Sequence, residues 1–234
     1  MRLAMTAVAA GVLLVTSQLA GVAGAEEVVC GPPGGEQPAT IVGSGVVMGT
    51  SGPDVIVGGS GADQIFGLGG DDVICGGDGN NYVEGGTGAD VLIGGESLPP
   101  FAASNGHNDD TLMGGPGDDL VAGLSGDDTL DGDKGADQLI GMGGADHISA
   151  GPGDDTAFGG PGSDFMGGDA GADTLFGNYG SDSISGGSGA DFIDGDNPSP
   201  PPPGPLPFPE GDNDDTCEGN GGGDTILNCE HVTE

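Results

Sequence analysis

Gly58-Gly59-Ser60-Gly61-Ala62-Asp63-Gln64-Ile65-Phe66 is one period of the nine-residue pattern that decides the fold. Each step is numbered so that Gly58 is position 1 and Asp63 position 6. Position 6 then reads Asp54, Asp63, Asp72, Asn81 and Asp90 in a first run. A second run reads Asp110, Asp119, Asp128, Asp137, Asp146, Asp155, Asp164, Asp173, Asp182 and Asp191, and Asp215 and Asp224 close the array. Position 8, two residues on, is Ile56, Ile65, Ile74, Val83, Leu92, Leu112, Val121, Leu130, Leu139, Ile148, Ala157, Met166, Leu175, Ile184, Ile193, Cys217 and Ile226. Position 4 is glycine in fifteen of the seventeen steps, with Asn108 and Asn213 as the exceptions. Asparagine is the residue that next best tolerates a left-handed backbone, so position 4 is expected to have positive φ.

A fixed short period is the signature of a solenoid. Side chains alternate along a strand, so position 8 points inward while positions 7 and 9 point outward. Each step is then a six-residue glycine-rich turn and a three-residue strand, too short to stand alone. Two steps per coil give an all-β fold: a parallel β-roll, or β-solenoid, with two short strands per 18-residue coil. Asp63 then stacks on Asn81, and Asp72 on Asp90. Carboxylates stacked at about 4.8 Å repel one another, and a divalent cation between them turns repulsion into ligation. Aspartate oxygens with turn carbonyls make an all-oxygen site, which suits calcium better than magnesium. All seventeen position 6 residues are candidate ligands, Asn81 the weakest. Ligand geometry gives about 9 to 15 Ca2+ ions, the upper figure if the stack is continuous and the lower range if the insertions break it.

The pattern resembles the RTX, or haemolysin-type, calcium-binding nonapeptide GGxGxDxUx, where U is a large aliphatic residue. Gly58 to Phe66 matches every fixed position, as does Gly114-Gly115-Pro116-Gly117-Asp118-Asp119-Leu120-Val121-Ala122. The resemblance implies a parallel β-roll with calcium held between consecutive turns by the position 6 aspartate and turn carbonyls. Many members of that family carry a protease, lipase or toxin domain. This sequence looks more like the small, repeat-only secreted type, so those activities do not transfer.

Composition agrees. The 234 residues include 55 Gly, no Trp and two Tyr, too few large side chains for a thick core. Acids number 38 against two bases, Arg2 and Lys134. Nucleic acid is excluded as a partner, because binding its phosphates needs Lys and Arg. Without cations such a chain repels itself and stays expanded.

Residues 1–25 read as a cleaved secretory signal: Arg2, an apolar stretch from Ala4 to Leu19, and Ala23-Gly24-Ala25 with cleavage after Ala25. The stretch is short for a membrane span, and the residues before Cys30 are poor for lipoprotein processing. The product is expected to be secreted, with net charge 1 − 38 = −37. Four cysteines in a secreted chain point to disulfides. Of three pairings, Cys30 with Cys75 and Cys217 with Cys229 is favoured, each stapling a terminal segment to the stack. Residues 26–48 read as an N-terminal cap, in which Gly45-Val46-Val47 keeps the register without the aspartate. Repeats occupy 49–95 and 105–195. An insertion at 96–104 and a proline-rich one at 196–209 interrupt them, and 210–234 holds the final repeats and a C-terminal cap.

No G-x-S-x-G, H-E-x-x-H or G-K-[ST] motif is present, and His107, His147 and His231 stand alone. Adjacent pairs such as Asp71-Asp72 and Asp118-Asp119 recur with the repeat, which argues against acid/base catalysis. The reading is a secreted, non-enzymatic calcium-binding protein. Its alternative is an adhesion or matrix module in which calcium builds a scaffold and an outer face binds a cell-surface or polysaccharide partner. Position 7, read in chain order as Val55, Gln64, Val73, Tyr82, Val91, Thr111, shows no regular code for such a face.

Overall fold

A computed structural model describes residues 29–30, 37–95, 108–195 and 215–233. Among these residues there is no helix, and the chain winds as a parallel β-solenoid. Alternate steps feed two ten-stranded sheets. The first runs from Ile41–Val42 through Val55–Val57 to Thr225–Leu227, the second from Val46–Met48 through Gln64–Gly69 to His231–Thr233. Within the repeats each strand pairs with the strand eighteen residues on, as Ile56 with Ile74 and Ile65 with Val83. The expected coil length is therefore the observed one.

The position 8 column is the core. From Ile56 to Cys217 each of its side chains is at most 1% exposed, and Ile226 packs partly buried at the end. The core is one side chain deep on each sheet, so the roll buries little apolar surface for its length.

The insertions do not break the stack. Tyr82 pairs with Thr111 and Val91 with Leu120, so the strands on either side of the first insertion pair in register. Ser183 pairs with Thr216 and Phe192 with Thr225 across the second insertion. The insertions themselves, with Phe101, Phe208 and His107, lie outside the described residues, as do residues 1–28.

Two expectations need correction. Strands are not uniformly three residues: several, such as Gln64–Gly69 and Leu120–Ser125, run six residues into the turn, because adjacent turns also pair (Leu68 with Gly86, Leu124 with Met142). The outward positions of the first sheet are also not simply solvent-facing. Val55, Val57, Cys75, Ile93, Ala122 and Ile140 are buried and form a second apolar cluster with Cys30 and Leu124. Sorted by sheet, the outer residues do follow a pattern. Triplets such as Val55-Ile56-Val57 and Val91-Leu92-Ile93 are apolar throughout, as in sheets covered on both faces. Farther along, Phe158 and Phe176 stack with ring centroids 5.0 Å apart. The second sheet is mixed, with Glu84, Asp131 and Glu218 on its outer face.

The ends are closed by shortened steps. Ile41 pairs with Ile56 and Cys217 with Val232, both fifteen residues apart. The first and last strands of the stack are thus joined to their neighbours by turns three residues shorter than the repeat. The disulfides Cys30–Cys75 and Cys217–Cys229 form as favoured. The first ties an antiparallel pair, Val29–Cys30 with Gln37–Pro38, to the first sheet. The second is anchored in the core through Cys217, which is 0% exposed.

Candidate metal sites in two turn columns

The turns stack as the strands do. One column holds Asp54, Asp72, Asp90, Asp119, Asp137, Asp155, Asp173, Asp191 and Asp224. The other holds Asp63, Asn81, Asp110, Asp128, Asp146, Asp164, Asp182 and Asp215. Both insertions and both shortened turns fall in the second column; the first is uninterrupted. Position 4 has the left-handed backbone expected of it at most steps, as at Gly61 (φ 98°) and Gly70 (φ 105°), while Gly52, Gly153 and Gly162 lie outside that region. Position 2 shares it, which the sequence hides because Leu68, Leu124 and Met142 stand there with φ 81°, 86° and 76°. Those side chains do not favour that region, so the stacked turn imposes it.

Position 6 side chains are buried at 0–8% exposure from Asp54 to Asp215. One carboxylate oxygen, Oδ1, accepts the backbone N–H of the position 6 residue one coil earlier. Asp54 N–H donates to Asp72 at 2.8 Å, Asp128 N–H to Asp146 at 2.9 Å and Asp146 N–H to Asp164 at 2.9 Å. The ladder crosses both insertions, from Asn81 to Asp110 at 2.6 Å and from Asp191 to Asp224 at 3.1 Å.

The other oxygen, Oδ2, points into its own turn. In Asp72, Asp90, Asp110, Asp119, Asp128, Asp137, Asp146, Asp155, Asp164, Asp173 and Asp191 it is buried with no hydrogen-bond partner among the described residues. A buried carboxylate oxygen without a donor is costly. Burial is the main reason the following groups resist ionisation. It pushes Asp110 and Asp164 up to about 8, Asp119 and Asp128 to about 7, and Asp72, Asp137, Asp146, Asp155 and Asp173 to about 6. The N–H from the previous coil opposes the shift, and neighbouring carboxylates add to it in most of them.

Glycine at position 1 keeps this space open. A Cβ on Gly67 would come within 2.4 Å of Asp72 Oδ2 and 2.3 Å of Gly85 O. Carboxylate and carbonyl oxygens of successive coils thus converge on a gap that a side chain would fill. Orphaned carboxylate oxygens among carbonyls are a hard, oxygen-only donor set, which fits calcium. Among the described residues no three carboxylate, histidine or cysteine side chains gather on one point. A site here would therefore draw on backbone oxygens as well as aspartates.

Three features of the columns escaped the sequence reading. Glu230 Oε2 accepts Asp215 N–H at 3.0 Å, taking the place of the next aspartate at the shortened end. At the other end Gly45 N–H donates to Asp63 Oδ1, and Thr40 Oγ1 lies 3.5 Å from Asp54 Oδ1. Exposed position 5 aspartates form a further ladder in the opposite direction: Asp71, Asp118 and Asp127 accept the N–H of Ala89, Ala136 and Ala145. That use explains the recurrent Asp-Asp pairs. His147 lies on the second sheet's outer face, stacked on Phe165 at 4.9 Å, and His231 pairs with Thr216 in the last strand.

Comparison with known families gives one match. The RTX calcium-binding nonapeptide repeat matches residues 48–83, 76–97, 106–139, 131–166, 140–175 and 167–197, together more than half of the chain. No curated protein matches it. The repeat is a structural calcium-binding unit rather than a catalytic one, and no helix among the described residues is long and apolar enough to cross a membrane. With the repeat, the β-solenoid and the convergent oxygens in agreement, this chain belongs to the RTX calcium-binding nonapeptide repeat family and is a calcium-binding β-roll.

Proposed function

We propose that the protein is a secreted, non-enzymatic β-roll whose compact form depends on many calcium ions held between stacked turns. The ligands are the position 6 aspartates of both columns, joined by turn carbonyls. The observation that carries this is the row of buried Oδ2 atoms without donors. With 38 acids against Lys134 alone once Arg2 is removed, the calcium-free roll confines like charges, and each ion neutralises two of them. Extracellular calcium modules bind at about 10⁻⁴ to 10⁻³ M, which suits folding after export. Two disulfides fit an oxidising compartment. Circular dichroism in chelator and then in millimolar calcium tests the reading. A gain of strand signal and compaction is expected; identical strand-rich spectra in both would end it.

A second reading keeps calcium as the scaffold and gives recognition to the first sheet's outer face. In favour is its composition: Thr156, Phe158, Thr174, Phe176 and Phe192 present hydroxyl and phenyl groups, with Asp194 beside Phe176 at the edge of the patch. Calcium-dependent retention on cell-wall polysaccharide, lost in Phe176→Asp but kept in Phe165→Asp on the opposite sheet, is the expected result. Equal retention of the two variants would rule it out.

A further inference from the structure

Asn81 breaks the aspartate columns, and its hydrogen bonds show what it does there. Its Oδ1 accepts Asp63 N–H at 3.0 Å, as the aspartates do. Its Nδ2 stands where every other turn has Oδ2, and it donates to Gly77 O at 3.2 Å and Gly79 O at 3.0 Å. These are the position 2 and position 4 carbonyls of its own turn. The orientation of the amide is set by its surroundings: an N–H lies on one side and two carbonyls on the other. The same point of the repeat is involved. A Cβ on Gly76 would come within 2.9 Å of Asn81 Nδ2 and 2.4 Å of Gly94 O, as one on Gly67 meets Asp72 Oδ2 and Gly85 O.

The amide thus supplies the positive partner that the aspartate turns from Asp72 to Asp173 lack, whereas Asp54 and Asp63 at the N-terminal end take a backbone N–H from their own turns. We propose that the Gly76–Asn81 turn is a rung that closes without calcium, the side chain amide of Asn81 taking the place of an ion. This rests on the calcium reading above. For an ion to enter, the amide would have to rotate, giving up two hydrogen bonds and turning its N–H groups onto the Asp63 N–H. Burying those donors unpaired costs more than a single ligand oxygen returns. The location adds weight. Cys75, bonded to Cys30, immediately precedes this turn, so a covalent staple and an amide-closed turn lie side by side. Neither needs calcium. Together they give the calcium-free chain one ordered coil near its N-terminal end, on which later coils add as ions arrive. Stacked repeats propagate from a formed neighbour more easily than they nucleate.

The test compares the full-length wild type with Asn81→Asp and with the reciprocal Asp146→Asn, by hydrogen exchange in chelator and native mass spectrometry in calcium. In chelator, wild-type amides in 76–83 should exchange roughly tenfold or more slowly than those in 141–148, the worth of two amide hydrogen bonds. Asn81→Asp should lose that protection and gain at least one bound ion. Asp146→Asn should gain protection at 141–148 and lose at least one ion. If Asn81→Asp exchanges like the wild type in chelator, or its ion count is unchanged, the proposal is overturned even though both chains fold with calcium. If neither chain responds to calcium, it is the calcium reading itself that has failed.

Discussion

Asp146→Ala should be far more damaging in calcium than Asp54→Ala, although both delete one aspartate of the same repeat. Asp146 lies inside its column. Its Oδ1 accepts Asp128 N–H at 2.9 Å, and its own N–H donates to Asp164 at 2.9 Å. The substitution removes a ligand from the gap on either side and leaves the Asp128 N–H buried without an acceptor. At about 10 mM calcium and a Kd of about 10⁻⁴ M, each ion stabilises the folded state by about 2.7 kcal/mol. Loss of two ions is worth about 5 kcal/mol, and the unsatisfied N–H about 1–3 kcal/mol more. Asp54 has an aspartate on one side only. Its Oδ1 faces Thr40 Oγ1 at 3.5 Å, and its Oδ2 accepts Thr50 N–H at 2.7 Å. Its loss should remove one ion, about 2.7 kcal/mol, and fray an end. Urea unfolding at fixed calcium, with calcium titrations followed by circular dichroism, measures both. Asp146→Ala should shift the folding midpoint to higher calcium and lose cooperativity, with Asp54→Ala much closer to wild type. Equal shifts would refute the view that each interior aspartate serves two gaps.

Acid should partly replace calcium. Burial raises the folded-state pKa of these aspartates from 3.8 to about 6 to 8. The calcium-free roll therefore binds more protons than the unfolded chain between those values, and its stability falls as pH rises through that window. In chelator the protein should be more compact at pH 5 than at pH 8, and calcium should bind more tightly at the higher pH while displacing protons; scattering that shows the opposite trend would contradict this. Gly67→Ala, whose Cβ would press on Gly85 O and Asp72 Oδ2, should destabilise the roll by about 1–3 kcal/mol and weaken calcium binding. Gly52→Ala has no heavy atom within 4 Å of its Cβ and should stay within about 0.5 kcal/mol of wild type; equal melting losses in the two would refute the cradle. Because the stack is continuous, native mass spectrometry should find close to the upper figure of about fifteen ions, and one to four tight ions would disprove the array.

Much of this molecule is local and therefore readable from the chain. The nine-residue step, the inward position 8 and the glycine at position 4 each follow from side-chain alternation and backbone sterics within a single step. The eighteen-residue coil follows once three-residue strands must face one another across that column. What the sequence could not decide depends on which distant steps become neighbours. Tyr82 pairs with Thr111 because the strand register resumes after the insertion, and no local signal states that it will. The apolar outer face emerges only when steps are sorted by sheet, since in chain order its residues alternate with those of the opposite sheet. Glu230 joins the ladder because a three-residue shortening brings it beside Asp215, not because it fits the motif. Leu68 adopts φ 81° because the neighbouring turn demands it, against its own preference. Stacking converts separations of fifteen, eighteen, twenty-nine or thirty-three residues into the same strand-to-strand distance. Only tertiary structure decides which of those separations applies at each coil.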